Sequence, residues 1–206
     1  MKSIFKILAS CFLIVGMFSQ YTATGAAANV VRIKGLGTTA YFYSESPDGC
    51  IETGVSLFAN QQADLGTGGP TAPLVYLDIE EYNACTDAAV SVALGQKQLS
   101  KDEFTVAGNL ASATLNTTVN VYDGVSGTSF DVAVHLTWEP TSGIIRENSH
   151  YNYVFEACHD SYTNVSTMRA ATATGTISDG TTNFIPLPSF DGKIYNSKGG
   201  EISHGC

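Results

Sequence analysis

ATLNTTVNVYDGVSGTSFDVAVHLTW, residues 113–138, decides the fold of this 206-residue chain. Apolar and polar side chains alternate along Ala113–Tyr122 and again along Thr128–Trp138. A period of two over five repeats is typical of a strand with one buried and one solvated face. The Asp-Gly pair at 123–124 supplies the residues that a tight turn needs. The segment therefore predicts a β-hairpin.

Short alternating runs of the same kind recur through most of the chain, and turn residues separate them. They are Val30–Lys34, Thr38–Ser44, Ile51–Ala59, Leu74–Tyr82, Ala88–Leu94, Tyr151–Cys158, Ala171–Ser178 and Lys193–Asn196. Asn60 to Pro73 is a polar Gly/Pro loop, and the best helix signal is a single turn at Ser100–Glu103. Sheets with one apolar face must bury that face against each other. The pattern predicts an all-β fold, an antiparallel two-sheet β-sandwich, with a β-barrel as the alternative.

The first residues have the composition of a secretory signal peptide. Lys2 and Lys6 precede an apolar run that ends at Phe18, and a small-residue cleavage site follows at 26–28. The apolar run is shorter than the roughly 20 residues that a membrane-spanning helix needs. We therefore expect a signal peptide over 1–28 and a single secreted domain over 29–206.

Cys11 stands in a sequence that imitates a bacterial lipoprotein box. It lies inside the apolar run rather than after it, so cleavage there would leave too short a hydrophobic segment. The sequence therefore argues against a lipid anchor.

The charge balance argues against several kinds of partner. Ten Lys and Arg face 19 Asp and Glu, a net charge of −9. Removal of 1–28 takes two lysines and no acid, so eight cations would face 19 acids, a net charge of −11. Nucleic acids require a basic surface, and an acidic protein is repelled by anionic lipid. We expect no nucleic-acid partner and no membrane insertion after cleavage, which leaves cations, neutral polymers and basic partners.

Four cysteines remain after the signal peptide, and an even number in an exported chain predicts two disulfides. Three pairings are possible. Cys50–Cys85 with Cys158–Cys206 is favoured because sequential strands bring near neighbours together. Structural zinc is disfavoured because the sequence has no CxxC pair.

No catalytic motif is present, and the four histidines, His135, His150, His159 and His204, are scattered. Asp78 and Glu80 share one face of a predicted strand, about 7 Å apart. With nearby carbonyl groups they could hold Ca²⁺, the one cofactor that the sequence suggests. A charged solvent face is the simpler interpretation.

Two aromatic groups suggest a ligand-binding surface. Tyr41 and Tyr43 flank Phe42, and Tyr151 and Tyr153 share a strand face with Phe155. Exposed rings on a secreted β-protein form platforms that stack on sugar rings, whereas buried rings only fill a core. Separately, Asn116 and Asn164 begin glycosylation sequons.

Several strings in the last two-fifths of the chain carry a resemblance. They are DVAVHLTW at 131–138, SDGTTNF at 178–184, PLPS at 186–189 and the terminal Gly205-Cys206. With these strings the chain resembles a group of uncharacterised secreted bacterial proteins. The resemblance implies secretion and a β-fold, and it implies no activity and no site residues.

These observations predict a secreted, extracellular, acidic module without enzymatic activity that binds a surface, a glycan or Ca²⁺. One alternative is a secreted toxin or inhibitor, suggested by the small disulfide-bonded format. Another is a small hydrolase that uses Asp78, Glu80 or His150.

Overall fold

The computed structural model describes residues 29–64, 72–155 and 158–204, and all of the regular elements in these ranges are strands. The strands are β1 (Asn29–Glu45), β2 (Ile51–Asp64), β3 (Leu74–Asn83), β4 (Ala88–Gln98), β5 (Phe104–Val106), β6 (Ala113–Asp123), β7 (Thr128–Pro140), β8 (Ile145–Phe155), β9 (Cys158–Ser178) and β10 (Asp191–His204). The predicted all-β class is confirmed. The predicted signal peptide at 1–28 lies outside the described residues.

The β6–β7 hairpin has the predicted register. Ala113 pairs with Trp138 at one end and Asp123 pairs with Thr128 at the other. Side chains along β6 alternate strictly between buried and exposed. The hydrophobic pattern and the turn residues specify the same register, so this local prediction is confirmed.

The strand boundaries differ from the prediction in several places, and the structure adds strand residues that were not predicted: β5, 145–150 of β8, 159–170 of β9 and 197–204 of β10. The first two predicted strands are one continuous strand, β1. The single strand predicted for Tyr151–Cys158 is wrong, because β8 ends at Phe155 and the antiparallel β9 begins at Cys158, which pairs with it. The strand β2 also continues into the predicted loop as far as Asp64. In each case pairing with a neighbouring strand overrides the local composition.

The turn at Ser100–Glu103 forms without a helix. The Ser100 N–H donates a hydrogen bond of 2.8 Å to Oε2 of Glu103, as the sequence suggested. The Glu103 carboxylate also binds the Lys97 ammonium at 2.6 Å, and the hydroxyl of the buried Thr117 donates to it at 2.6 Å. These contacts satisfy the one polar side chain among the buried positions Ala113–Val121 of β6.

All strands belong to one antiparallel sheet in the order β10-β1-β2-β3-β4-β6-β7-β9-β8, with β5 paired to β6. The last strand, β10, pairs with β1 on one side and with β9 on the other. The path of pairings therefore returns to its start, and β8 stays outside this path as a free edge. Strand β9 serves two partners on one side, β7 along Ala171–Ser178 and β8 along 158–168.

One face of the sheet carries the hydrophobic core. Trp138 is fully buried, and its indole Nε1–H donates a hydrogen bond of 2.8 Å to the Thr39 carbonyl oxygen of β1. The largest other fully buried side chains are Leu57, Leu77, Ile79, Leu115, Ile177 and Ile194. The core thus joins strands from both ends of the chain.

The disulfide predicted between Cys50 and Cys85 is present. It joins the residue before β2 to the second residue after β3. The partner predicted for Cys158, Cys206, lies outside the described residues. A structural disulfide persists in oxidising compartments and is rare in the cytosol. The described residues contain no helix of the length and hydrophobicity that a membrane crossing requires.

Candidate functional site

The exposed face of β1, β2 and β3 places tyrosines opposite carboxylates. Tyr41 and Tyr43 lie on β1, and Asp78 and Glu80 lie two strands away on β3. Between them, β2 contributes only the small residues Gly54 and Ser56. We name this surface the outer trough and define it by Tyr41, Tyr43, Gly54, Ser56, Asp78 and Glu80. The sequence analysis singled out the four side chains of its walls as candidate binding residues. The structure places the two tyrosines and the two carboxylates on either side of β2.

The floor of the trough is open. Gly54 pairs with Tyr43 on one side and Glu80 on the other, and no heavy atom of another described residue lies within 4 Å of the position that a Cβ at Gly54 would take. Strands two positions apart are separated by roughly 10 Å. The tyrosine and carboxylate walls therefore flank a gap that no described part of the chain fills.

The aromatic wall is solvent-accessible. Tyr41 and Tyr43 are each 41% exposed, whereas Phe42 between them is buried in the core. Phe190, from the segment before β10, lies beside Tyr41 with ring centroids 6.5 Å apart, and its N–H donates a hydrogen bond of 3.0 Å to the Tyr41 carbonyl oxygen. Phe190 is 70% exposed, so it extends the aromatic wall into solvent.

A stack of rings closes one end of the trough. Phe58 follows Ser56 on the same face of β2, and its ring lies 6.2 Å from those of Tyr76 and Tyr195. Tyr195 packs over Gly37, where a Cβ would come within 2.5 Å of the tyrosine hydroxyl oxygen. Glycine at 37 therefore makes room for the ring, and burial raises the pKa of Tyr195.

The acidic wall contains an unsatisfied acceptor. Burial raises the pKa of Asp78 to about 6, with a smaller contribution from the charge of Glu80. The buried Oδ1 of Asp78 has no hydrogen-bond partner in the part of the chain that the structure describes. A buried acceptor of this kind is costly unless a ligand or water supplies a donor.

The opposite end of the trough is also acidic. Oε2 of Glu52 is buried and lacks a partner among the described residues. The Tyr43 hydroxyl donates a hydrogen bond of 2.7 Å to Oε1 of Glu45. Burial, together with the acceptors Glu45 and Glu52, raises the pKa of Tyr43. Tyr43 therefore stays a neutral phenol that donates a hydrogen bond.

Aromatic faces beside hydrogen-bond acceptors can hold a ring that has apolar C–H faces and hydroxyl groups at its edge. Metal binding has less support from the geometry. Among the described residues no group of three or more His, Cys, Asp or Glu is placed to hold an ion. Ca²⁺ at Asp78 and Glu80 therefore stays a prediction that rests on two carboxylates.

The second predicted aromatic pair lies elsewhere. Tyr151 and Tyr153 are 65% and 63% exposed on the edge strand β8. The ring centroids of Tyr151 and Tyr162 lie 6.5 Å apart. Tyr151 pairs with Tyr162 of β9, and the paired positions continue across β10 to residue 31 of β1. Residue 31 is ten positions from Tyr41, roughly 33 Å along an extended strand. The two pairs of tyrosines therefore do not form one platform.

The predicted hydrolase residues are not brought together. His150 is exposed on β8, and every path through the sheet from β8 to the strand of Asp78 and Glu80 crosses at least four others. His135 is exposed on β7, as its alternation predicted. The side chains of His159 and His204 lie outside the described set.

Sequence reasoning missed part of the trough. Tyr76 and Phe58 lie on the exposed faces of their strands, and the alternation that placed Asp78 outward could have found them. Phe190 and Gly54 carried no such signal, because their role depends on which strands become neighbours.

No family model and no curated protein matches the sequence. The chain has a weak similarity, with 9% identity and a TM-score of 0.35, to the crystal structure of a Nitrosomonas europaea protein provisionally assigned as AttH. That match covers 84% of this chain and 51% of the other, so the chain spans about half the length of that protein. A likeness this weak carries no argument about function.

Proposed function

We propose that this protein is a secreted, non-catalytic extracellular module that binds a neutral glycan in the outer trough. The observation that carries the proposal is the open gap at Gly54 and Ser56, with tyrosines on one side and carboxylates on the other. A pyranose ring stacks one apolar face on an aromatic ring and donates its hydroxyl hydrogens to acceptors. Asp78 presents such an acceptor, to which none of the described residues donates a hydrogen bond.

Secretion is supported by the disulfide between Cys50 and Cys85, since such bonds persist in oxidising compartments. The apolar leader and the small residues at 26–28 support it independently.

For the architecture we infer a closed barrel, the alternative to the two-sheet sandwich. Two observations support it: the path of strand pairings returns to its start, and all of the described strands belong to one sheet. A barrel leaves its outer surface free, so the outer trough would lie on the convex side.

The sharpest test fills the floor of the trough. Gly54→Val places a branched side chain in open space at a strand position, so it should fold normally and block a ligand. Tyr41→Ala removes one stacking surface. We expect the purified protein to bind a neutral oligosaccharide on a glycan array, and each variant to bind it at least roughly tenfold more weakly, equivalent to about 1.4 kcal/mol.

Tyr153→Ala is the matched control, because it removes an exposed tyrosine outside the trough. Binding that survives Gly54→Val, or that Tyr153→Ala weakens as much as Tyr41→Ala does, would contradict the proposal. Glycan binding measured with added Ca²⁺ and with a chelator shows whether the ion takes part in holding the sugar. Glycan binding that is unchanged by a chelator fits a sugar held by side chains alone.

Asp78 adds a dependence on pH. Its carboxyl group ionises near pH 6, so its full capacity as an acceptor is present only above that value. Glycan affinity should rise between pH 5 and pH 7, and Asp78→Asn should remove this rise. The same substitution should stabilise the fold at pH 7 by about 1 kcal/mol after solvent screening, since the raised pKa means that ionisation costs folding energy. Equal pH profiles for the two proteins would exclude this role for Asp78.

A further inference from the structure

Beyond the core, the sheet continues as an extension that carries a second candidate binding surface. It consists of β8 and the parts of β9, β10 and β1 that pair beside it. Four exposed cations lie on one side of this extension, and we name this side the basic face. Its cations are Arg32, Lys34, Arg146 and Lys198.

The register places these four side chains on the same face. Lys34 pairs with Lys198, and Lys198 pairs with Val165 of β9. Arg32 is two residues from Lys34, and Arg146 pairs with Thr167, two residues from Val165. Residues two apart in a strand share a face. This is the continuation of the buried face, because Thr38 and Ile194, further along β1 and β10, lie in the core.

The basic face carries half of the eight lysines and arginines beyond residue 28. No acidic residue occupies this face among the described side chains of the four strands, and none of its cations forms an ion pair with a described residue. The acids of the extension whose side chains the structure describes, Glu147 and Asp160, lie on the opposite face. In a chain of net charge −9, this separation makes a local positive surface.

Lys34 and Lys198 face each other directly across two paired strands. Like charges at opposed positions of an antiparallel pair destabilise the sheet. An anion between them would relieve this repulsion. Arg146 lies two strands away from Lys198, roughly 10 Å in the pairing direction, so the cations are spaced for several anionic groups rather than for one.

Amides and hydroxyls are the most numerous of the other side chains on the basic face, which also carries His150, Val154, Val165 and Ile202. The amides and hydroxyls are Asn148, Asn152, Ser161, Thr163, Thr167 and Asn196. These groups donate and accept hydrogen bonds, as sugar hydroxyls require. The face therefore combines cations for acidic groups with neutral partners for a polyhydroxylated backbone.

We propose that the basic face binds a linear anionic polysaccharide, one that carries a carboxylate or sulfate on repeating sugar units. A flexible chain can contact the extension alone, whereas an extended anionic membrane would also meet the acidic remainder of the molecule. This binding site is separate from the outer trough and does not depend on it.

The probe is polygalacturonate, with neutral dextran as its comparison, titrated into the full-length processed protein. We expect polygalacturonate to bind with an affinity that falls as the salt concentration rises, because the lysines and arginines of the protein release counterions from the polysaccharide when they bind it. Lys34→Gln combined with Lys198→Gln should weaken this binding at least tenfold and reduce the salt dependence, and Lys→Arg at both positions should restore it. The double Gln variant relieves a repulsion, so it should fold.

Lys193→Gln is the matched control, because Lys193 is exposed on the same strand as Lys198 and on the opposite face. It should leave the affinity unchanged, and Gly54→Val in the outer trough should do the same. The proposal is overturned if the double variant binds normally, if dextran binds equally well, or if phosphatidylglycerol vesicles or duplex DNA bind more tightly than polygalacturonate.

Discussion

Two hairpins of this protein have the same number of paired residues and very different surroundings. The β6–β7 hairpin buries most of one face, with Val119 and Val132 fully enclosed at its centre. The β8–β9 hairpin has a ladder of the same length, but the described side chains of β8 are exposed on both faces, except for a half-buried Ser149.

The comparison shows that backbone pairing and stability are separate properties. Hydrogen bonds contribute little net stability once water is counted as a competing partner, whereas burial of apolar area contributes most of it. The first hairpin should therefore belong to the cooperative core, and the second should open locally. Its exposure also explains why β8 and β9 can offer a polar, charged surface to a ligand.

The largest expected contrast comes from one aromatic residue in each region. Trp138→Ala should destabilise the protein by about 3–5 kcal/mol, because it empties a large core volume and leaves the Thr39 carbonyl oxygen without its indole donor. Tyr151→Ala should cost less than about 0.5 kcal/mol at an exposed site. Urea unfolding measures both losses of stability, provided that the variants and the unsubstituted protein have equal m-values. Similar losses for the two variants would remove the distinction between the hairpins.

A smaller contrast separates the half of β9 that pairs with β7 from the segment just before β8. Gly175 has φ of 138° where β9 pairs with β7, and a Cβ there would overlap the His135 carbonyl oxygen. Gly175→Ala should cost about 1–3 kcal/mol through backbone strain. Gly143, just before β8, has open space around it, and Gly143→Ala should be nearly neutral. Thermal unfolding of both variants tests this, and a stable Gly175→Ala protein would show that β9 can shift without loss.

The smallest effect depends on pH and lies in the β6–β7 turn. Hydrogen bonds from Ser126 and from the backbone N–H groups of Val92 and Val125 lower the pKa of Asp123 to about 2. Because this value is below the unfolded value of about 4, Asp123 stabilises the fold above pH 4 and loses this effect as the pH falls toward 2. Asp123→Ala should lower the Tm at pH 7, and the difference from the unsubstituted protein should narrow near pH 2. A difference that is independent of pH would assign the effect to something other than the carboxylate charge.

The all-β class and the central hairpin could be predicted because one face of β6 and β7 is buried, and burial imposes a period of two on the sequence. The extension could not be predicted well. The described side chains of β8 are exposed on both faces, so no hydrophobic alternation marks where it begins at Ile145, and the alternating run from Tyr151 did not show that the strand ends at Phe155. Its boundary is set by pairing with β9, which is a property of the folded chain.

The candidate site shows the same limit. The alternation along β3 predicted that Asp78 and Glu80 point outward, and the sequence singled out Tyr41 and Tyr43 by their aromatic character. Their meeting across Gly54 depends on strand order, which local patterns do not encode. The basic face was missed for the same reason, because Arg32 and Arg146 become neighbours only when the first and last strands of the domain join.

The pairing of β1 with β10 has a consequence for the order of events during biosynthesis. Residues 29–41 of β1 pair with residues 191–203 of β10, so the sheet cannot close until residues 191–203 have left the ribosome. Contacts between such distant segments slow folding, because the loop between them must close before the contacts form. A nascent chain that cannot complete its sheet until β10 emerges stays unfolded for longer, and only an unfolded chain can pass through a translocation channel.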